Sequence, residues 1–279
     1  QIIKNNEITI VHTNHRMAAF YIRLLKLFNS KLKHVYTAHN VFKDKLPLYK
    51  FALGNAKSIA VGEAVNKNLK EDVGITDSRV IYNGVVLKET DEQVDEIISY
   101  DGIKLGCIAR LSEQKGLTYL LDAMSLLTVK DIRLFIVGDG ELRNELENKV
   151  KELHLQDSVT FLGYRKDIVE CINSFDFCVL PSVFEGFGLV AIEAFMNSKT
   201  LVATDIPGLN EVVTNENGIL VPVKDPIALA GAINKLATDV ALRNSLAFQA
   251  KKTYDEKFSY PMFLENYRAL YREIQGEPK

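Results

Sequence analysis

The sequence predicts an α/β protein with two domains, each built on a doubly wound parallel sheet. Short apolar runs alternate with stretches of helical periodicity along the chain, which is the pattern of strands joined by helical crossovers. A polar, acidic segment at about 88–101 separates the two halves and is predicted as the linker. Right-handed crossovers place the loops after the strands on one carboxyl edge of each sheet, where such sheets bind ligands.

Composition limits the location and the partners of the protein. With 279 residues, 47% of them hydrophobic, the chain can bury the core of one large or two modest domains. A net charge of −2 gives no general attraction to nucleic acid, which we do not expect as a partner. The three cysteines stand in apolar surroundings, and the chain has neither a membrane-spanning run nor a signal-peptide pattern. These features predict a cytoplasmic protein.

The first half is predicted as a partial Rossmann-like domain over residues 1–100. Its apolar runs predict four strands, and the stretches between them have helical spacing. A turn at Asn83 and Gly84 follows the last strand. The predicted strands cover 8–13, 35–38, 58–61 and 80–82, and the predicted helices cover 16–28, 48–53 and 64–71.

The second half is predicted as a complete Rossmann-like domain over residues 102–256. The last segment, 257–279, is predicted as a terminal helix whose aromatic stripe packs in a core. The predicted strands cover 103–108, 134–137, 159–162, 175–180 and 200–203, and the main helices cover 141–153, 167–174, 188–197, 225–237 and 241–258.

The stretch 174–213 contains the densest set of candidate functional residues. Its pattern predicts a buried strand, a glycine-containing loop, a helix and a second strand. A helix N-terminus that follows a glycine loop offers unpaired N–H groups and the positive end of the helix dipole to a phosphate. Glu185 stands in the loop. Glu193 lies in an otherwise apolar helix, where a carboxylate needs either a partner or a polar cleft.

The motif PSVFEGFGLVAIEA, at 181–194, closely resembles the signature of retaining glycosyltransferases of family four, which have the GT-B fold with two Rossmann-like domains. The resemblance implies that the terminal helix at 257–279 crosses back to the N-terminal domain. The resemblance implies that Glu185 contacts the sugar of a nucleotide-sugar donor and that Glu193 binds the ribose. It also implies that the donor diphosphate is bound by backbone N–H groups of the intervening turn. The positions implied in donor binding there are Gly186, Phe187, Gly188, Leu189 and Val190.

A second element, ARLSEQKG, is similar to the R…KG element of the same family. Arg110 and Lys115 lie in one strand-end loop, where two fixed cations would stabilise the charge that develops on a leaving diphosphate without a metal. The resemblance assigns both side chains to the donor diphosphate and to catalysis. Gly138 is predicted to clear backbone space for the donor, and the loop that carries Tyr164 and Arg165 is predicted to meet the base.

His39 ends a predicted strand in the segment TAHN, at a sheet edge where ligands bind. An isolated histidine is more often structural than catalytic, and that interpretation stays open. Members of the family have a histidine at the comparable strand end, beside the donor sugar. The resemblance therefore implies that His39 lines the reacting face as a catalytic residue.

The segment 16–43 is a candidate membrane surface. Residues 8–43 contain six Lys or Arg, four His and no acidic residue. Such a segment is either a solvated helix face or an interfacial surface that meets anionic lipid headgroups. The resemblance favours the second interpretation, because many family members dock on membranes through this half. It implies a peripheral position at the inner face of the membrane.

The resemblance implies an incomplete acceptor half, because residues 1–100 contain only the later strands and helices of the GT-B pattern. We therefore expect a retaining glycosyltransferase that moves a sugar from a UDP- or GDP-linked donor to a glycan or lipid-linked acceptor, in polysaccharide or glycolipid biosynthesis. The alternative is a nucleotide-sugar-binding module that is inactive without a partner chain or a missing N-terminal segment. The sequence has no Asp-x-Asp motif, and we expect no metal or other cofactor.

Overall fold

The structure is a computed structural model that describes residues 3, 7–42, 44–86 and 90–276. The chain divides into unit 1, which comprises residues 1–84 and 260–279, and unit 2, which comprises residues 85–259. Each unit contains one parallel sheet, which confirms the predicted α/β class with two sheets. Lys43, at the end of the candidate membrane segment, and residues 88 and 89 of the predicted linker lie outside the described residues.

Unit 1 contains a four-stranded parallel sheet in the order β1-β2-β3-β4, so that consecutive strands are neighbours. The strands are β1 (Ile10–Thr13), β2 (Lys33–Ala38), β3 (Lys57–Ala60) and β4 (Ser78–Val80). With the helices numbered in chain order, unit 1 contains α1 (Arg16–Lys26), α2 (Leu46–Leu53), α3 (Glu63–Asn68) with a π-helical turn at Leu69–Val73, and α11 (Tyr260–Gln275).

Helix α11 packs on the sheet of unit 1. Leu270 is fully buried in one cluster with Val35 and Ile59. The hydroxyl of Tyr271 lies 2.6 Å from Nδ1 of His12, whose Nε2 lies 2.7 Å from a hydroxyl of β2. Burial, and secondarily a neighbouring histidine, lower the pKa of His12. A neutral imidazole thus links α11 to the sheet through hydrogen bonds.

Unit 2 contains a six-stranded parallel sheet in the order β10-β9-β8-β5-β6-β7. Its strands are apolar on both faces because helices cover both sides of such a sheet. The strands are β5 (Ile103–Ile108), β6 (Ile132–Val137), β7 (Val159–Gly163), β8 (Phe177–Leu180), β9 (Leu201–Thr204) and β10 (Ile219–Val221). The helices are α4 (Asp95–Ile98), α5 (Leu117–Ser125), α6 (Arg143–Glu152), α7 (Ile168–Ser174), α8 (Leu189–Met196), α9 (Pro226–Thr238) and α10 (Val240–Thr253).

Residues 90–101, which the sequence predicts as linker, belong to unit 2 and are hydrogen-bonded to the end of α7. The backbone N–H of Val94 donates to the hydroxyl of Ser174 at 2.8 Å. The amide of Asn173 donates to the carbonyl of Thr90 at 2.6 Å. These bonds and α4 explain why the acidic segment belongs to unit 2 despite its polar composition.

The strand order of unit 2 reverses at its centre. From β5 the chain adds β6 and β7 on one side, and it then returns to place β8 on the other side of β5. The loops after β5 and β8 therefore leave neighbouring strands at the carboxyl edge and lead in opposite directions. In open α/β sheets this switch point is where a crevice forms and ligands bind.

Within the described residues, no helix has the length and apolar character that crossing a bilayer requires.

Gly106 gives a test of the packing at the centre of the unit 2 sheet. A Cβ at this position would lie 2.0 Å from a ring carbon of Phe175, which is buried and stacks on Phe135. We expect Gly106→Ala to lower the free energy of unfolding by about 1–3 kcal/mol, because the buried ring has no room to yield. Denaturant unfolding measures this change.

Gly231→Ala, in α9, is the matched control. A Cβ there meets no atom within 4 Å, and alanine in a helix interior is expected to stabilise the protein by about 0.5–1 kcal/mol relative to glycine. An unfolding free energy of Gly106→Ala equal to that of the parent protein would contradict the packing described here.

Candidate functional site

Two loops are bonded to one another where β5 and β8 lie side by side. The loop after β5 ends in a 3-10 turn at Glu113–Lys115, and the loop after β8 spans 181–188. The backbone N–H of Val183 donates to the carbonyl of Gln114 at 2.8 Å, and the amide of Gln114 donates to the carbonyl of Phe184 at 3.0 Å. The two loops are therefore fixed relative to each other before a ligand binds.

Lys115 and Glu185 form an ion pair between these loops. Nζ of Lys115 lies 2.6 Å from Oε2 of Glu185, and the side chains are only 22% and 18% exposed. The hydroxyl of Ser182 donates to the same oxygen at 3.3 Å. A pair that is mostly covered is screened less by solvent than a surface pair. The sequence predicts these two residues as separate ligand contacts, and the structure brings them into direct contact.

A pocket of about 610 Å³ lies at the carboxyl ends of β5, β6 and β7. Asp139 and Ile168 also line it, and the sequence did not predict either of them. Asp139 is the second residue after β6, a strand-end position that could have suggested it, whereas Ile168 gives no signal other than its apolar side chain. The predicted donor-binding residues in the lining are Arg110, Lys115, Gly138, Tyr164, Arg165 and Val190.

Gly138 and Gly188 occupy positions that exclude a side chain. Gly138 has a φ of +136°, and a Cβ there would lie 2.0 Å from the carbonyl oxygen of Ala109. Gly188 has a φ of +66°, and a Cβ there would lie 2.6 Å from a methyl carbon of Leu209. Only glycine adopts such conformations without strain. Gly188 directly precedes α8, so no side chain of its own covers the first N–H groups of that helix.

Glu193 lies one turn after Val190 on the same face of α8. Burial raises the pKa of Glu193 to about 7, from an ordinary value of 4.5. No residue that the structure describes donates a hydrogen bond to this carboxylate or pairs with it. A carboxylate that has lost water without gaining a donor favours a ligand that supplies hydroxyl or N–H groups.

The two arginines of the pocket differ in how firmly they are held. Nη2 of Arg110 lies 3.1 Å from Oε2 of Glu141, and the Arg110 side chain is 72% exposed. Arg165 donates two hydrogen bonds to Asp167, one of them from Nε at 3.0 Å, which fixes its guanidinium. Among the residues that the structure describes, no group of three His, Cys, Asp or Glu is arranged to hold a metal. Both guanidinium groups bring positive charge to the pocket lining, and Arg110, the more exposed of the two, is the less constrained.

The remaining predicted residues are not among those that line the pocket. The ring of Phe187 is buried and packs on Phe258 at a centroid distance of 6.0 Å, so this residue can offer a ligand only its backbone. Leu189 is partly exposed at the start of α8. His39 follows β2 in unit 1, its Nε2 lies 3.4 Å from Oδ1 of Asn14, and desolvation lowers its pKa. Its catalytic role stays a prediction.

Comparison with solved structures supports the fold. The crystal structure of Anabaena Alr3699/HepE in complex with UDP matches with a TM-score of 0.86, covering 97% of this chain and 80% of that chain at 23% identity. At this identity the likeness shows the fold alone. It confirms the GT-B prediction.

Curated relatives match over different shares of their length. The glycosyltransferase MJ1607 of Methanocaldococcus jannaschii is 33% identical over 216 residues, which are 70% of this chain and 55% of that protein. The chain therefore spans about half the length of that relative. The capsular polysaccharide biosynthesis glycosyltransferase CapM of Staphylococcus aureus is 22% identical over 282 residues, which are 99% of this chain and 68% of that protein.

Two family models match the chain in succession. Residues 1–89 match the model described as glycosyltransferase family 4. Residues 89–253 match the model described as glycosyl transferases group 1, and this match covers more than half of the chain. The motifs at 109–116 and 181–194, on which the sequence resemblance depends, both lie inside the second match. The chain belongs to the glycosyl transferases group 1 family.

Proposed function

We propose that the protein is a retaining glycosyltransferase that moves a sugar from a nucleotide-diphosphate sugar to a glycan or lipid-linked acceptor. The observation that carries the proposal is the Lys115–Glu185 pair beside the pocket at the switch point of unit 2. Membership of the group 1 family supports the transfer reaction. The likeness to CapM supports polysaccharide assembly as the process.

The donor in this proposal is UDP- or GDP-linked and is bound without a metal. Lys115 and Arg110, together with the N-terminus of α8, would hold the diphosphate. Tyr164 lines the pocket and is 74% exposed, so a base could stack on its ring. Glu193, to which no described residue donates a hydrogen bond, would accept hydrogen bonds from the ribose hydroxyls. UDP, which HepE binds in its crystal structure, is the first nucleotide to test.

The proposed mechanism begins with an exchange of partners. Lys115 leaves Glu185 for the diphosphate, and Glu185 then accepts hydrogen bonds from the hydroxyls of the donor sugar. The bond between the anomeric carbon and the phosphate oxygen breaks, and both electrons stay on that oxygen. Lys115 and Arg110 stabilise the charge that develops there. The acceptor hydroxyl attacks on the same face of the sugar, and its proton passes to the leaving phosphate.

The decisive experiment is a calorimetric titration with UDP, GDP, ADP and their sugar conjugates, without added metal. Selective binding of one nucleotide is expected, followed by turnover of its sugar conjugate with a glycan or lipid-linked acceptor. NMR of the product then gives its anomeric configuration. An inverted product would contradict the retaining mechanism. Binding without turnover would favour the alternative, a donor-binding module that needs a partner chain.

Lys115 and Glu185 are expected to affect different steps. Lys115→Ala removes a charge-assisted contact to the diphosphate, so we expect nucleotide affinity to fall about tenfold to a hundredfold. Glu185→Gln releases Lys115, so nucleotide affinity should be unchanged or higher, whereas kcat should fall at least about a hundredfold. Calorimetry and steady-state kinetics measure these two effects.

Glu113→Gln is the matched control, because Glu113 is exposed in the same turn and makes no ion pair with a described residue. It should leave both affinity and kcat unchanged. Full activity of Glu185→Gln would remove that carboxylate from the mechanism.

Glu193 gives a pH-dependent prediction. Between about pH 4.5 and pH 7 the folded protein keeps a proton that the unfolded chain releases, so stability falls as pH rises through this window. Glu193→Gln removes this cost, and at pH 8 we expect it to raise the free energy of unfolding by up to about 3 kcal/mol. Near pH 4 the variant and the parent should be equally stable. Parallel stability profiles from pH 4 to pH 8 would contradict the raised pKa.

The same residue should couple nucleotide binding to pH. Ribose hydroxyls donate to the ionised carboxylate, so the parent protein should bind UDP more tightly at pH 8 than at pH 6. Glu193→Gln should bind UDP more weakly and lose this pH dependence. The pair of titrations separates the ribose contact from an effect on stability.

We also propose that α1 and the turn after it meet an anionic membrane surface. Phe28 is 90% exposed and Leu27 is 67% exposed, and Tyr21 and Leu25 are exposed on the same segment. Residues 8–42 contain basic side chains and no acidic one. Exposed apolar side chains among basic ones are typical of helices that lie in the interface of an anionic bilayer.

Substitution of the two most exposed apolar residues tests this surface. Leu27→Ser with Phe28→Ser should weaken binding to phosphatidylglycerol-containing vesicles at least about tenfold, because it removes the apolar surface that enters the interface. Vesicle sedimentation measures the binding. Ile227→Ser with Phe248→Ser is the matched control, since these apolar residues of unit 2 are 76% and 68% exposed. Equal losses from the two double variants would contradict a membrane surface at α1.

A further inference from the structure

A second pocket, of about 570 Å³, lies at the amino edge of the unit 1 sheet. β2 begins at Lys33 and β3 begins at Lys57, and both residues line the pocket. Lys26 and Leu53, the last residues of α1 and α2, line it as well. All residues that line this pocket belong to unit 1, whereas the residues that line the 610 Å³ pocket all belong to unit 2.

Four lysines from different segments converge on the amino-edge pocket: Lys26, Lys33, Lys50 and Lys57. Nζ of Lys57 lies 2.8 Å from Oδ2 of Asp77, which balances its charge. The other three lysines have no carboxylate partner among the residues that the structure describes. The pocket therefore holds an excess of positive charge.

Most donors of the three unpaired lysines remain available. Nζ of Lys26 donates to the carbonyl of Asn55 at 3.0 Å, and Nζ of Lys33 donates to the carbonyl of Ile274. Each ammonium group has three N–H donors, so two remain on each of these lysines. Lys50 makes no hydrogen bond or ion pair with a described residue, and it lies beside the backbone of Gly74 in the pocket wall.

Capping of helix C-termini explains part of this arrangement but not all of it. Lysines near the end of a helix often donate to its last carbonyls, and Lys33 donates in this way to Ile274 in the last turn of α11. The carbonyl that Lys26 contacts belongs to Asn55, two residues beyond the end of α2. Lys50 lies in the last turn of α2 but donates to no carbonyl of a described residue, so capping does not explain its place in the pocket wall. Burial, and secondarily the charge of Arg23, lower the pKa of Lys26, as expected for an ammonium group with no carboxylate of a described residue beside it. An anion in the pocket would offset that cost.

His34, which also lines the pocket, does not add to its charge. Burial, and secondarily the charge of Lys26, lower the pKa of His34 to about 4. Its Nε2 is hydrogen-bonded to the hydroxyl of Thr13 at 2.8 Å. At neutral pH the imidazole is therefore uncharged, and the positive charge of the pocket comes from the lysines alone.

We propose that the amino-edge pocket binds the phosphate group of a ligand other than the sugar donor. Three ammonium groups match the charge and the acceptor oxygens of a phosphate, and Ser30 and Thr76 add hydroxyl groups to the lining. A lipid headgroup and a soluble phosphate ester present this same group. The exposed Leu27 and Phe28 follow Lys26 directly in the chain and are placed to contact the apolar part of a lipid. The site does not depend on the proposed transfer reaction.

The test is a titration of the full chain with inorganic phosphate. NMR spectra monitor the titration through the chemical-shift changes of the backbone amide signals. Lys26→Gln with Lys50→Gln should weaken phosphate binding at least about tenfold, because it removes two charged donors from the pocket. Lys31→Gln with Lys70→Gln is the matched control. It removes the same charge from exposed positions outside the pocket, and it should leave the affinity unchanged. Thermal unfolding verifies that both double variants are folded.

Lys115→Ala separates this site from the pocket of unit 2. It should not change the shifts that depend on Lys26 and Lys50. Phosphate binding that is lost only in Lys115→Ala would place the anion in unit 2 and overturn the proposal. Equal losses from the two double variants, or no phosphate binding by the parent chain, would overturn it as well.

Once phosphate binding to this pocket is established, vesicles of phosphatidylcholine with phosphatidic acid identify the source of the phosphate. If the pocket variant loses more vesicle binding than the Lys31 and Lys70 control, the phosphate belongs to a lipid headgroup. If the two variants bind vesicles equally, it belongs to a soluble ester, for which sn-glycerol 3-phosphate is the next probe.

Discussion

The pairing of β5 with β8 is the constraint on which the site of unit 2 depends. Leu105 pairs with Phe177 and Gly106 pairs with Cys178, although two other strands lie between them in the chain. The loops that follow these two strands must therefore lie side by side at the carboxyl edge. Because the loops are adjacent, Lys115 contacts Glu185 and the backbone N–H of Val183 reaches the carbonyl of Gln114.

Much of the fold could be predicted because buried parallel strands are apolar on both faces and stand out from helical periodicity. β10 (Ile219–Val221) was missed, since it has only three residues and a proline follows it directly. The loops that form the pocket could also be predicted, because strand ends are visible in the sequence. The ion pairs of Arg110 with Glu141 and of Arg165 with Asp167 could not be predicted, because they depend on the path of each loop rather than on a pattern in the sequence.

The two acids of one motif have different surroundings, which the sequence does not distinguish. Glu185 has a lysine and a hydroxyl as partners, whereas Glu193 has no partner among the described residues and a pKa of about 7. The first acid already has hydrogen-bond donors, and the second gains donors only when a ligand supplies them. The free protein thus has one site residue that is already paired and one that is destabilised until binding.

Unit 2 is inserted in the sequence of unit 1, and this insertion determines the order in which the two units are completed during synthesis. Val85 and Ser259 form a parallel β-bridge, so the first and last residues of unit 2 are adjacent, and unit 2 interrupts the sequence of unit 1. On the ribosome, all of unit 2 emerges before α11, whose Leu270 covers Val35 and Ile59. Unit 2 can therefore bury its core during synthesis. The sheet of unit 1 keeps an apolar face exposed until α11 has been synthesised and packs on it.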